Sequence, residues 1–415
     1  MTSAERTTIP GLLGDFRLLL ILFVVLRGLL LVVYQPLLVA EAERGITVGG
    51  DYRYYYDLAA QAEDGLYPFR DWWSEFPPLW AALQQGIYTL AGGSYGNFAA
   101  LLGLIMLGFD LGILLLVRAI GTHLHGANTG LSLAWIYTLL LPPLVFTYWT
   151  FEPLPTFLLF LGLYWLLRGR DIPSAVAVAL GTLTKFVPAL LIGAVVRFRP
   201  PRRAAIYIAL VVGFFALPYI VLLANPNTRT MTAPSLTAQF NKASYQTVWA
   251  LLDGNMTTGI FGSVAERTDP ANAIRPRGEP SVVPGWLRFG VAAAIGLFVF
   301  MRARRTDGRG LVSFTLITLL IFYLQSQGWS PQWTMGLLPL ALLVFPTRNG
   351  VYFAVMLSVL TFADYPTLFI RTGDTGGNIT GALVAPFVLI ILLRTLLLTG
   401  LAVACYRVLR QRPIE

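Results

Sequence analysis

Apolar runs long enough to enter a bilayer, divided by short arginine-bearing connectors, constrain this chain more than any motif in it. They lie at Leu18–Leu38, Phe98–Val117, Leu131–Tyr148, Leu154–Leu167, Ile172–Val196, Ala204–Ala224, Trp286–Met301, Leu311–Leu324, Trp333–Phe345, Val351–Phe362 and Ile379–Ala404. A spanning helix takes about 20 apolar residues. Hydrophobic residues make up 56% of the 415 and charged ones 12%, so the pattern predicts an all-α polytopic membrane protein. The net charge of +9 does not point to nucleic acid, because the arginines sit in connectors between apolar runs, as in cytoplasmic loops. Cys405 is the single cysteine, which excludes a disulfide framework or a cysteine-rich metal site. The first apolar run is too long for a signal peptide and holds Arg27. Despite Ala40-Glu41-Ala42, which resembles a cleavage site, it reads as a retained helix.

Arg118, Arg168, Arg170, Arg197, Arg199, Arg202, Arg203, Arg302, Arg304, Arg305, Arg309, Arg348, Arg407, Arg410 and Arg412 mark the cytoplasmic ends. The same arrangement leaves 15 of the 21 acids outside. Two stretches resist simple alternation. Leu79–Leu90 carries Gln84 and Gln85 and ends in Gly92-Gly93, so it reads as a juxtamembrane helix on the outer surface. Ile172–Val196 has arginines at both ends and Lys185 near its centre, so it enters and returns, with Pro188 just after the tip. Counting the two arms separately gives twelve membrane segments with both termini cytoplasmic. The expectation is one transmembrane domain over residues 1–415, with outer loops at 41–97 and 225–285 and a re-entrant segment at 172–196. No internal repeat of the transporter kind is visible.

Chemistry-bearing residues concentrate in the first outer loop. In GGDYRYYYDLAAQAEDG, Asp51 suits a helix N-cap and the helix runs to about Asp64. Asp51 and Asp57 are six residues apart and point to different faces, which disfavours a two-carboxylate metal site. The plain alternative is a capping Asp51, a solvated Asp57 and an interfacial belt of tyrosines that includes Tyr52. LYPFRDWWSEFPPLW follows, and it brings Arg70 and Glu75 close in sequence to Asp51 and Arg53.

Elsewhere the candidates are isolated. Lys185 is one of two lysines against 28 arginines and lies deep in an apolar segment, where an ionisable group faces a cavity or a partner. Its structural alternative is a pair with an intramembrane acid such as Asp110. Glu152 stands where a helix meets the outer surface, flanked by Pro153. Gln332 and Trp333 open the tenth segment from outside, and Lys242, Tyr245, Gln246 and Trp249 lie in the second outer loop. Each of these could bind sugar hydroxyls or anchor at the interface. His123 and His125 fall in a cytoplasmic connector, and GDTGGN lacks the lysine of a phosphate-binding loop.

Residues 51–79, read as DYxxYxDxAxxxxxGxxPxxxxxxxxPPL, resemble the first outer loop of GT-C glycosyltransferases, the polyprenyl-phosphate-mannose-dependent α-mannosyltransferases in particular. These include the GPI mannosyltransferase I family and the bacterial phosphatidylinositol-mannoside mannosyltransferases. YWTFEPLP at 148–155, GTLTKFVPALL at 181–191 and WSPQWTMGLLPLAL at 329–342 resemble further motifs in the same chain order. The first aspartate of the GPI enzymes' Asp-x-Asp pair is Gly49 here, which leaves Asp51 as the carried-over acid.

The resemblance implies a GT-C fold and an inverting transfer of mannose from a polyprenyl-phosphate carrier to a lipid-linked or surface glycan at the outer face. Asp51 would be the base. Lys185 would meet the donor phosphate, and Arg53, Arg70, Glu152, Gln332, Trp333, Tyr52, Asp57, Lys242 and Gln246 would contribute to phosphate or sugar binding. No cofactor and no metal are expected, and no nucleic acid. Arginine-over-lysine usage fits a GC-rich bacterial genome, hence a plasma membrane with the site on its extracytoplasmic side. The alternatives are a polyprenyl-phosphate-pentose transferase of arabinose type and, from another class, a transporter or lipid flippase.

Overall fold

The computed structural model of the protein describes residues 9–38, 45–46, 50–259, 261–275 and 278–412. Gly49 and the Ala40-Glu41-Ala42 stretch lie outside these. Among the described residues every regular element is a helix, with isolated bridges such as Tyr245 to Gly328 in place of strands.

A short α1 (Ile9–Gly14) leads into α2 (Phe16–Tyr34), capped by Asp15, whose side chain accepts the Arg17 N–H. Next come α3 (Tyr52–Ala60), α4 (Pro78–Ala91) and the 31-residue α5 (Tyr95–His125). The single segment expected at Leu131–Tyr148 is instead broken into α6 (Ala127–Leu139) and α7 (Leu141–Phe146). Pro142 and Pro143 are the reason. They lack the N–H groups that would bond one turn back, so a helix cannot run through them but can start there. The freed carbonyl of Thr138 accepts from the Arg27 guanidinium at 3.3 Å instead.

The chain continues through α8 (Pro153–Leu167), α9 (Asp171–Thr182), α10 (Leu191–Phe198), α11 (Pro201–Ala224), α12 (Pro226–Thr237) and α13 (Val248–Asp253). It ends with α14 (Gly285–Arg302), α15 (Gly308–Gln325), α16 (Thr334–Val344), α17 (Arg348–Phe362), α18 (Phe369–Thr372) and α19 (Val384–Arg410). Seven helical stretches among the described residues are long and apolar enough to cross a membrane, and the protein is an integral membrane protein. Shorter apolar helices, such as Pro153–Leu167 and Pro331–Val344, pack among them.

The bundle has two unlike ends. At one, the arginine connectors interlock. Arg118 lies over the Phe16 ring, Arg309 Nε donates to Val344 O at 3.0 Å, and the N–H groups of Arg304 and Arg305 both reach Leu409 O. At the other, the long loops are stitched together: Trp73 N–H to Arg267 O at 3.0 Å, Tyr245 N–H to Gln327 O at 3.1 Å, and Thr258 N–H to Gly377 O at 2.9 Å. Such pairing satisfies backbone groups of irregular segments that water cannot reach.

Residues 171–199 form a hairpin. The 12-residue arm α9 rises from the arginine end, turns at residues 183–186, and returns through Val187–Phe198. Asp171 and Arg199 pair at 2.7 Å and close its base, while the Arg199 guanidinium also reaches Leu166 O. Pro188 packs on Gly181, where a methyl group would come within 2.9 Å of the proline ring. The helix α4 lies against α3, and its two glutamines explain themselves. Gln84 Nε2 donates to Tyr55 O at 2.7 Å and Gln85 Nε2 to Ala59 O at 3.4 Å.

Inside the bundle, Asp110 is fully buried and its partner is Arg27 at 2.8 Å, with the hydroxyls of Tyr137 and Thr147 completing its shell. The pairing of Asp110 with Lys185 considered from sequence is therefore not formed. A buried acid takes whichever cation the packing delivers, and α2 rather than the hairpin lies beside it.

Candidate active site

Gly50 fixes how the first loop enters. Its φ of +66° is a left-handed value that a side chain disfavours. A methyl group there would also stand 2.5 Å from Trp149 Cβ. This close approach lets the Asp51 N–H donate to Trp149 O at 2.7 Å. Asp51 does occupy the position before α3, yet its carboxylate makes no capping hydrogen bond. It accepts only the Tyr55 hydroxyl, at 3.3 Å, and joins no ion pair among the described residues. Capping, the plain alternative for this aspartate, is not what its side chain does.

Two further backbone and packing contacts gather the motifs. Leu79 N–H, in the Pro77-Pro78-Leu79 run, donates to Leu183 O at the hairpin turn, 3.0 Å away. Met335, in the 329–342 motif, shares a buried cluster with Trp149 and Tyr148. Stretches far apart in the chain thus meet at Trp149, which receives the Asp51 N–H and has Tyr365 edge-on to it at 4.7 Å.

The hairpin turn carries Lys185, whose Nζ sits 2.5 Å from Glu152 Oε2 at the start of α8. Both are largely buried, at 15% and 6% side-chain exposure. The other lysine, Lys242, pairs with Glu75 at 2.7 Å, and Arg267 approaches the same carboxylate at 3.4 Å. Arg267 is held in turn over the Trp73 ring at 4.1 Å, and its Nε donates to the Tyr54 hydroxyl at 2.8 Å. Glu152 and Glu75 are therefore each held by cations, Glu152 by Lys185 and Glu75 by Lys242 and Arg267, while Asp51 is not.

Their mutual influence shows at Asp51. Burial pushes its carboxyl up, the Tyr55 hydrogen bond and the Lys185 and Lys242 charges pull it down, and Glu75 pushes it up again. The result is a pKa of about 7 against 3.8. At Glu75 burial also works upward, but Lys242 and Arg267 outweigh it and hold the carboxyl below its ordinary range. One carboxylate is thus kept ionised by partners while its neighbour is poised to exchange a proton near neutrality. Such a split between adjacent acids is how active sites assign roles.

The remaining candidates lie elsewhere. Arg53 and Asp57 pair with each other at 2.8 Å on the exposed face of α3, away from Asp51 as the helical spacing predicts. Arg70 pairs with Asp71 at 2.6 Å and closes its own turn onto Gly65 O. Tyr52 is buried and its hydroxyl donates to Thr147 O at 3.2 Å. Gln246 bridges Asp364 Oδ1, at 2.6 Å, and the Gly259 N–H, within a network completed by Arg394. Trp333 stacks on Tyr323 at 4.4 Å, and Gln332 beside it is half-buried. Arg267 is not marked by any sequence pattern, and Glu75 only by its closeness in sequence to Asp51. Nothing local marks an arginine at 267 as the partner of an acid 192 residues earlier.

Among the described residues no group of three or more His, Cys, Asp or Glu is placed to hold a metal ion. The cations gathered with these acids are Lys185, Lys242 and Arg267.

A family model, glycosyltransferase family 87, matches residues 76–327, well over half of the chain. That stretch contains Glu152, Lys185, Lys242 and Arg267, while Asp51 and Gln332 lie outside it. No curated protein sequence matches. Among solved structures, the chain is similar to the apo oligosaccharyltransferase of Archaeoglobus fulgidus, at 12% identity and a TM-score of 0.41 over 94% of this chain and 55% of that one. It is also similar to apo ArnT from Cupriavidus metallidurans, at 14% identity and a TM-score of 0.37 over 86% of this chain and 78% of that one. The chain spans about half the length of the oligosaccharyltransferase.

Proposed function

The chain belongs to glycosyltransferase family 87, and from that membership we propose an inverting transfer of a sugar, mannose by the resemblance of its motifs, from a polyprenyl-phosphate carrier to a lipid-linked or surface glycan. The family bears out the likeness to GT-C glycosyltransferases drawn from the ordered motifs. The reaction would take place on the extracytoplasmic face of a bacterial plasma membrane. A transporter or flippase would need a polar path at mid-membrane, whereas the charged residues that gather here do so at one end.

In this reading the acceptor hydroxyl loses its proton to the Asp51 carboxylate as its oxygen attacks the anomeric carbon from the side opposite the phosphate. A new C–O bond forms, the bond from carbon to phosphate oxygen breaks, and the configuration inverts. The negative charge that develops on the departing phosphate falls to Lys185, which must turn from Glu152 toward it. Glu152 holds the lysine ready meanwhile. The separate pair of Glu75 with Lys242 adjusts the proton affinity of Asp51 without touching substrate.

One observation carries the reading. Asp51 is a carboxylate that neither caps its helix nor joins an ion pair among the described residues, and it feels the charge of the one lysine of the hairpin turn. The test is Asp51→Asn, assayed in proteoliposomes with a polyprenyl-phosphate sugar donor. Transfer should fall about 10² to 10⁴-fold, with thermal stability equal to or above that of the native chain. Undiminished turnover would remove Asp51 from the chemistry.

A further inference from the structure

Away from Asp51, an apolar groove of about 590 Å³ runs along α14, α15 and α19. Leu287, Ile295, Ile321 and Ala402 are among its lining residues. From Leu287 to Val299 it follows α14 for about 18 Å at 1.5 Å per residue. Arg288 is the one charged side chain in the lining and is only 5% exposed.

This arginine is poorly provided for. Its Nη2 reaches Gln327 Oε1 at a marginal 3.5 Å and its guanidinium lies over the Trp249 ring at 5.5 Å. Nε and Nη1 have no hydrogen-bond partner. Asp253 acts on Arg288 only at a distance. Its two oxygens are taken by the Ser244 hydroxyl at 2.6 Å and the Val282 N–H at 2.7 Å. No ion pair to Arg288 forms among the described residues. A buried guanidinium with two idle nitrogens is costly, and an anion is what it lacks.

We propose that this groove holds the tail of a polyprenyl monophosphate, with its phosphate on Arg288, as the site that retains the spent carrier after sugar transfer. The inference rests on the proposed use of a polyprenyl-phosphate donor. Three features favour this occupant. The apolar lining follows α14 for about 18 Å, the shape of a groove for a stretch of extended prenyl chain. A single unpaired cation at the mouth suits a single phosphate, and a monoester carries more negative charge than the phosphodiester donor. The mouth is also connected to the Asp51 end without being part of it. Gln327 Nε2 donates to Gln239 O at 3.1 Å, and Gln239 Nε2 donates to Glu75 O at 3.2 Å. An occupant there is near the cluster but not placed for attack.

The experiment uses the full chain in nanodiscs and a photoactivatable prenyl phosphate, with adducts mapped by mass spectrometry. Adducts should fall on α14, α15 and α19. Unlabelled polyprenyl phosphate should compete for them, while the uncharged polyprenol and phosphatidylglycerol should not. Arg288→Gln should weaken that competition roughly ten- to a hundredfold, Arg288→Lys should weaken it less, and Ala292→Trp should reduce labelling by filling the groove. Asp51→Asn should leave labelling unchanged, which separates this inference from the catalytic one: full transfer activity in that variant would defeat the base, not the groove. Equal competition by polyprenol or phosphatidylglycerol would make the groove a general lipid face and overturn the proposal. So would labelling indifferent to both Arg288→Gln and Ala292→Trp.

Discussion

Asp51 and Lys185 act on each other through charge, and that coupling can be read from pH. A base with a pKa raised to about 7 is protonated below that value and inactive. The acid limb of kcat/KM should therefore rise with one proton through about pH 7. Lys185→Met removes a charge that lowers the Asp51 pKa, so the limb should move to higher pH. Glu75→Gln removes one that raises it, and the limb should move down. Shifts in the same direction for both variants would contradict the electrostatic account. Lys185 also has a structural partner, and the partner is Glu152 rather than Asp110. Lys185→Ala strands a mostly buried carboxylate and should destabilise by about 3–5 kcal/mol, most of it recovered in Lys185→Ala/Glu152→Ala. The combination with Asp110→Ala should be additive within about 0.5 kcal/mol. Thermal unfolding of the two cycles decides which acid is coupled.

At the scale of elements, the site depends on short helices among long ones. Gly308 sits against both Leu124 of α5 and Leu167 of α8, so these two helices share a level at the arginine end. From there α5 continues to Tyr95, about 43 Å, whereas α8 stops at Pro153 after about 21 Å. Glu152, at the start of α8, consequently lies well short of the far end of α5, with Lys185 of the hairpin turn paired to it. The loop that brings Asp51 against Trp149 turns on Gly50. Gly50→Ala imposes a left-handed alanine and a clash with Trp149, and should destabilise by about 1–3 kcal/mol. Activity should drop with it even at temperatures where the chain stays folded, because Asp51 is displaced. A silent Gly50→Ala would show that the loop accommodates the methyl group and that its grip on Trp149 is dispensable.

For the whole molecule, the separation of arginine connectors from stitched loops makes a claim about sidedness. Cys405 is the only cysteine and is buried, so introduced cysteines report alone. Asp64 and Arg168 are both exposed, at the loop end and the arginine end respectively. On intact cells a membrane-impermeant maleimide should label Asp64→Cys at once and Arg168→Cys only after permeabilisation. The reverse pattern would put the site on the cytoplasmic face and remove the basis for an extracytoplasmic acceptor. Hydropathy and arginine placement were sufficient to read the helical membrane class, the two ends and the doubling back at Ile172–Val196, because these follow from transfer energies that each segment carries by itself. The six-residue spacing likewise separated Asp51 from Asp57, since a helix fixes that angle locally. Which charges meet is another matter. Arg27 with Asp110, Lys185 with Glu152, and Arg267 with Glu75 join residues 83, 33 and 192 positions apart. A buried ion pair forms where packing brings opposite charges together out of water, and no local pattern encodes that packing. The sequence by itself determined which residues could ionise and on which helix they ride; the tertiary structure decided that Asp51 would have no ion-pair partner among the described residues, because Lys185, Lys242 and Arg267 are each held by another acid.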